Sequence, residues 1–277
     1  MTKTVERKPL DAPIRIWYQL VASENRMSNS IAATGRVCAR AAAKGTQVEV
    51  RGTRHGALGD QFRFFWHYDV REIIDNGLAV RGGGQYDAFV IANSLDPGLV
   101  ELREILDIPV LSFMEVCCFT ACTLGDRFAL ISPNARMNPH YESIVRSYGL
   151  HSRLAAIEPL LFNNISRFDE VFTDQQVGAE LAEQMDAACR RAVDRGAEVI
   201  IMCGPSASYA SLNGMFEYQG AIVLDAYSLV VKAAEAMVAM HRLTGQAASR
   251  RLLYQSPPQE LIRQCAQVRN IEVLRNG

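Results

Sequence analysis

Ala88-Phe-Val-Ile-Ala92, with Asn93-Ser-Leu-Asp-Pro-Gly98 directly behind it, decides the fold. Five consecutive apolar residues bounded by turn formers predict a strand buried on both faces, as in a parallel sheet. A helix over Leu99–Leu106, a strand over Ile108–Phe113 and a helix over Glu115–Leu124 follow. The order then recurs. Glu198-Val-Ile-Ile-Met202 is a second buried strand, ending in Cys203-Gly-Pro-Ser-Ala-Ser-Tyr209. A short helix leads to a strand over Ala221–Leu224 and a long helix over Tyr227–His241. Strands alternating with helices imply α/β architecture. The internal likeness predicts two pseudo-symmetric lobes, each a parallel sheet flanked by helices. Ligands in such sheets bind beyond the carboxyl ends of the strands. The strand ends at Asn93 and Cys203 are therefore expected to face one cleft.

Working outward, Ile14–Tyr18 and Thr46–Val50 read as strands. Between them Ile31–Ala43 has helical composition and is stopped by Gly45. Asp60–Asn76 is rich in aromatics and reads as a surface loop closing in a helix over Val70–Asn76. Arg81-Gly-Gly-Gly-Gln-Tyr-Asp87 precedes a strand, whereas a phosphate-binding glycine loop must follow one and open a helix. It is therefore expected to be a flexible turn. Phe128–Ile131 reads as a strand and Pro139–Tyr148 as a helix ended by Gly149. Ala179–Arg195 reads as a helix closed by Gly196, and a terminal helix begins at Pro258. The expected division is a polar tail over 1–13, a first lobe over 14–115 plus 226–277, and a second lobe over 116–225.

The chain has 277 residues, 49% hydrophobic and 21% charged, with a net charge of −1. That length buries a core without disulfides or a structural metal. The near-neutral charge lacks the footprint of a nucleic-acid binder. No apolar run reaches the roughly 18 residues of a membrane span, and Met1–Pro13 has no secretory apolar region. Seven cysteines, an odd number outside any metal framework, point to the reducing cytosol. The histidines (His55, His67, His140, His151 and His241) have no metal-ligating spacing.

Cys203 is the sharpest chemical feature. It follows a buried strand and precedes Gly204-Pro205-Ser206, where turn N–H groups are expected to lower its pKa. A core cysteine at a strand end is the alternative. Asn93 and Ser94 hold the equivalent turn and suit oxyanion binding, since Asn has no proton to titrate. Asp96-Pro97-Gly98 reads as a helix start. Glu115 follows a strand and either faces the cleft or caps its helix. Cys117, Cys118 and Cys122 share one small-residue helix, where packing is the simpler role. His67 and Asp69 form an acid/base pair or merely belong to a loop. Gly204, Ser206 and Tyr209 complete the candidate set.

These turns resemble the aspartate/glutamate/hydantoin racemase superfamily, and most closely its hydantoin racemase branch. The matching stretches are Tyr86–Leu99, Ile108–Glu115, Leu124-Gly-Asp-Arg-Phe-Ala-Leu130, Tyr148-Gly-Leu150 with Arg153-Leu154, Gly196–Cys203, and Val223-Leu-Asp-Ala226 with Ala233-Ala-Glu235. The resemblance implies two α/β lobes around a cofactor-independent site. It also implies two cysteines, one from each lobe, that remove and return a proton next to a carbonyl. The first family cysteine falls at Asn93. The second falls at Gly204 in a gap-free alignment, and a one-residue slip gives it to Cys203. A single-thiol pattern is similar to the arylmalonate decarboxylase branch. The family's Asn-Pro-Asn-Thr turn after the first strand is replaced by Gln19-Leu-Val-Ala-Ser-Glu-Asn25.

Three functions remain open on the sequence. The first is racemisation, isomerisation or decarboxylation at a carbon next to a carbonyl or carboxylate of a small molecule, with Cys203 as the acid/base. The second is a Cys-dependent hydrolase of a cyclic amide or imide, with Glu115 or His67 activating water. The third is a small-molecule-binding relative without turnover. A homo-oligomer without cofactor, metal, nucleic acid or membrane completes the expectation.

Overall fold

A computed structural model describes residues 8–161 and 167–271. Residues 1–7 of the expected tail, 162–166 of the expected second lobe and 272–277 of the expected first lobe lie outside the described residues. The strands are β1 Ile14–Ser23, β2 Thr46–Thr53, β3 Ala88–Ile91, β4 Val110–Ser112, β5 Phe128–Ser132, β6 Leu154–Pro159, β7 Val199–Met202, β8 Glu217–Tyr218 and β9 Ala221–Val223. The helices are α1 Ser28–Ala41, α2 Arg63–Gly83, α3 Leu99–Ile105, α4 Phe113–Leu124, α5 Asn138–Ser147, α6 Arg167–Glu170, α7 Gln175–Asp194, α8 Pro205–Leu212, α9 Ala226–Thr244 and α10 Gln259–Val268. Among the described residues, no helix is long and apolar enough to cross a membrane.

Two sheets form, in the orders β2-β1-β3-β4 and β6-β5-β7-β9-β8. All pairings are parallel except the β8–β9 edge. In each sheet the first strand is central, the second lies on one side and the third on the other. β3 and β7 are therefore equivalent strands, as the internal likeness requires. β3, β5 and β7 are buried at every residue. The buried apolar side chains of both sheets merge into one core, to which α9 adds Val230, Val231, Ala234 and Val238. Arg242 pins α9 to the start of the first sheet. Its guanidinium donates to the Ala12 and Pro13 carbonyls at 2.6 and 2.9 Å and reaches Asp87 Oδ1 at 3.3 Å. Burial opposes ionisation of Asp87, yet the Arg15 N–H, Lys8 and Arg242 outweigh it and hold the carboxyl below its ordinary range.

Three expectations fail locally. The aromatic stretch is helix, since α2 starts at Arg63 and runs through Gly83. Trp66, Asp69, Ile73 and Val80 are buried at helical spacing. The polar Asp69 and the bare Gly77 mask that stripe in the sequence. A Cβ at Gly77 would meet the Leu102 side chain at 2.1 Å, so the gap lets α2 approach α3 closely. The glycine run is thus the end of a helix, closed by Gly84 at φ +59°. Asp96 caps a different helix from the one beside it. At φ +47°, its carboxylate accepts from Met114 N at 2.9 Å and Glu115 N at 3.1 Å, the N-terminus of α4, and from Tyr148 Oη at 2.5 Å. Strand β6 adds an element absent from the sequence reading, and β1 extends five residues past Tyr18.

Candidate active site

A hollow of about 610 Å³, mouth included, opens where the two sheets present their carboxyl ends to each other. Leu20, Val21 and Ala22 bring the end of β1 to it, and Ala92, Asn93 and Ser94 the end of β3. Pro133 brings the end of β5, and Gly204 with Pro205 the end of β7. The points where strand order reverses in both sheets thus share one cavity. Helices tie the lobes together around it. Asp169 of α6 accepts from Ser30 N at 2.7 Å and Asn29 Nδ2 at 2.8 Å at the start of α1. Thr34 Oγ1 and Ser208 Oγ share a hydrogen bond of 2.9 Å, joining α1 to α8.

On the side of the two third strands, Ser94 Oγ and Tyr141 Oη lie 2.8 Å apart, both buried. Both hydroxyls lie near enough to the Cys203 thiol to favour its ionised form. Cys203 is fully buried and does not itself line the hollow. Where turn N–H groups were expected to lower it, burial raises the thiol well above its usual range, and the Ser94 and Tyr141 hydroxyls only partly offset it. The physical reason is local. Gly204 turns the chain at φ +70°, Pro205 opens α8 without an N–H, and Ser206 Oγ donates to the Cys203 carbonyl at 2.9 Å. The sulfur's own contact is Sγ–H to the Ile201 carbonyl at 3.9 Å. Burial thus favours the protonated thiol.

Asn93 lines the hollow with its Oδ1 engaged, accepting from Leu95 N at 2.9 Å in the turn that orients Ser94. Gly204 also lines it. The remaining candidates fall elsewhere. Ser206 is fully buried beneath the turn, and Tyr209 Oη donates to the Gly178 carbonyl at 2.9 Å on α7. Cys117 is fully buried on α4, its thiol raised by burial and then by Cys118 and Cys203. His67 lies exposed on α2. Glu115 is drawn away from the cleft, accepting from Arg103 Nη1 at 2.9 Å and Nη2 at 2.5 Å in a separate groove beside Tyr254. Its carboxylate is already paired there, and its helix start is capped by Asp96.

Sequence reading missed the group with the least satisfied chemistry. Asp60 lines the hollow, is only 8% exposed, and its Oδ1 has no hydrogen-bond partner. Burial raises its carboxyl to about 6, opposed by backbone N–H groups of Gln61 and of Asp60 itself. Asp69 stands behind it, its Oδ2 also unpartnered and its carboxyl raised to about 7, first by burial and then by the Asp60 charge. Among the described lining residues there is no Lys, Arg or His. Tyr141 was equally missed. A buried tyrosine on a short helix carries no local signal until its Ser94 partner is known.

The chain matches the family model of the Asp/Glu/hydantoin racemases over residues 33–234. It is 32% identical over 164 residues to the hydantoin racemase of Pseudomonas sp. (strain NS671), 58% of this chain and 61% of that protein. Against the hydantoin racemase of Paenarthrobacter aurescens it is 30% identical over 176 residues, 63% and 69% of the two chains. The chain thus spans about three fifths to two thirds of the length of these curated relatives. Its fold is similar to allantoin racemase from Klebsiella pneumoniae, with a TM-score of 0.74 at 21% identity over 88% of this chain and 94% of that one. Unliganded arylmalonate decarboxylase shares the fold more distantly, with a TM-score of 0.52 at 12% identity over 82% and 93%.

Proposed function

The chain belongs to the Asp/Glu/hydantoin racemase family, and on that premise we infer that it is a cofactor-independent enzyme moving a proton at a carbon next to a carbonyl of a small, uncharged amide-type molecule. One observation carries this: both lobes open their strand ends into one hollow whose described lining has a carboxyl and no cation. A carboxylate substrate would meet Asp60 without a counter-charge. A neutral ring bearing N–H and C=O groups would meet an acceptor at Asp60 and donors at Asn93, Ser94 and Tyr141. The relatives named hydantoin racemase and allantoin racemase make a cyclic ureide the first probe.

Removing the proton pushes an electron pair onto the carbonyl oxygen. Asn93 Nδ2 and the Ser94 and Tyr141 hydroxyls are the lining donors for that oxyanion. Burial favours the protonated Cys203 thiol, which lies behind the lining beside the Ser94 and Tyr141 hydroxyls. Racemisation and isomerisation both pass through this enolate-like species. The seven free cysteines support a reducing, cytoplasmic setting. Hydrolysis draws no support, because a nucleophile must touch the carbonyl and the sulfur is sealed.

The test is an enantiopure 5-substituted hydantoin, and allantoin, in deuterated water. Deuterium entering the stereogenic carbon as optical rotation falls is the expected result. A second reading, binding without turnover, is favoured by the absence of a thiol from the lining at both Asn93 and Gly204. It predicts thermal stabilisation by the ligand with no exchange.

A further inference from the structure

Resting on that reading of the hollow, we propose that Asp60 is the base of this site, its carboxylate taking the proton from the substrate carbon where the strand end at Asn93 offers no ionisable group. The side chain follows Gly59, which turns the chain at φ +84°, and it lines the hollow just ahead of α2. It is nine-tenths buried, and among the described residues its Oδ1 accepts from nothing and no salt bridge reaches it. A buried carboxylate oxygen without a donor costs stability, so the fold alone gives no reason to keep it. A ligand in the hollow would supply the missing donor.

The groups around it fit the task. The Asp60 carboxylate acts on Asp69 of α2 and on Tyr141 of α5, raising both. Tyr227 of α9 lines the same hollow. The cation acting on Asp69 is Arg26, whose Nη2 is already donating to the His55 and Gly56 carbonyls at 2.5 and 3.0 Å. Among the described residues no cation shifts Asp60, whose carboxyl at about 6 is ionised at neutral pH yet more basic than a surface aspartate.

In the step, the substrate C–H bond breaks and an O–H bond forms on Asp60. The electron pair passes to the carbonyl oxygen, held by the lining donors. A proton then returns to carbon from Asp60 or from a water entering the hollow. In the second case the hydroxide left behind takes the proton from Asp60, which restores the base.

The full chain is tested as wild type, Asp60→Asn, Asp60→Ser and Asp60→Glu, with an enantiopure 5-substituted hydantoin in deuterated water. Asp60→Asn and Asp60→Ser are expected to slow deuterium uptake by about 10²- to 10⁴-fold while the ligand still raises Tm. Asp60→Glu recovers part of the rate. The acid limb of the wild-type kcat/KM profile, near pH 6, disappears in Asp60→Asn. Uptake within threefold of wild type in whichever of Asn and Ser folds removes Asp60 from the chemistry while leaving the functional reading intact. A wild type that exchanges no deuterium overturns both.

Discussion

Asp60→Asn should change how stability depends on pH, independently of any substrate. The folded-state carboxyl stands at about 6 against an ordinary 3.8, raised by burial. A raised carboxylate works in the opposite sense to an ion-paired one. The folded protein binds a proton more tightly than the unfolded chain, so stability falls as pH rises between about 4 and 6, and the full cost is present above that window. A shift of about two pKa units corresponds to about 3 kcal/mol, of which about 2 kcal/mol accrues between pH 4 and 8. The Asp69 carboxyl, at about 7, adds cost over a wider window, and part of its shift comes from the Asp60 charge. Removing Asp60 therefore relieves both. The assay is urea unfolding of wild type and Asp60→Asn at half-unit steps from pH 5 to 8. The difference between the two proteins cancels the titrating groups not coupled to Asp60, including the oppositely signed Asp87. Wild type should lose about 1.5 kcal/mol or more relative to the variant across that range, roughly 3–6 °C in Tm. A difference that stays flat with pH would refute the buried, unpartnered carboxylate and with it the electrostatics assigned to the hollow.

Limited alkylation of the native protein between pH 5 and 9 should modify the part-exposed Cys122 and Cys265 first and leave Cys203, Cys117 and Cys118 unreacted until unfolding; peptide mapping that finds Cys203 first would restore the activated thiolate. Asp96→Ala should destabilise the protein by about 2 kcal/mol, because it removes the cap on α4 and places alanine at φ +47°; an unchanged denaturation midpoint would contradict that role. Arg242→Met leaves Asp87 buried with Lys8 as its remaining charged partner and should cost about 3–5 kcal/mol in chemical denaturation, whereas a loss under 1 kcal/mol would mean that α9 is held by apolar packing alone.

Sequence alone determined the doubling of the α/β pattern. Runs such as Ala88–Ala92 and Val199–Met202 are apolar at every position, and that is sufficient to mark strands covered on both faces. Glycines 149 and 196, both at positive φ, marked the ends of helices for the same local reason. The turn at Asn93 and Ser94, and the one at Gly204, were legible as lining because strand ends in such sheets face the ligand crevice. Tertiary structure decided the rest. Whether Cys203 is an activated thiolate depends on which N–H groups reach its sulfur and on how much water is excluded, and neither is encoded by its neighbours in the chain. Asp60 sits in a stretch without periodicity, so its burial came only from tertiary packing. Glu115 and Asp96 carried the right chemistry for the cleft, yet Arg103 and the N-terminus of α4 claimed them. Local pattern fixes elements because hydrogen bonding and apolar periodicity act over a few residues. Ionisation and pairing are fixed by groups brought together across the chain, and only the folded packing of the two sheets chooses them.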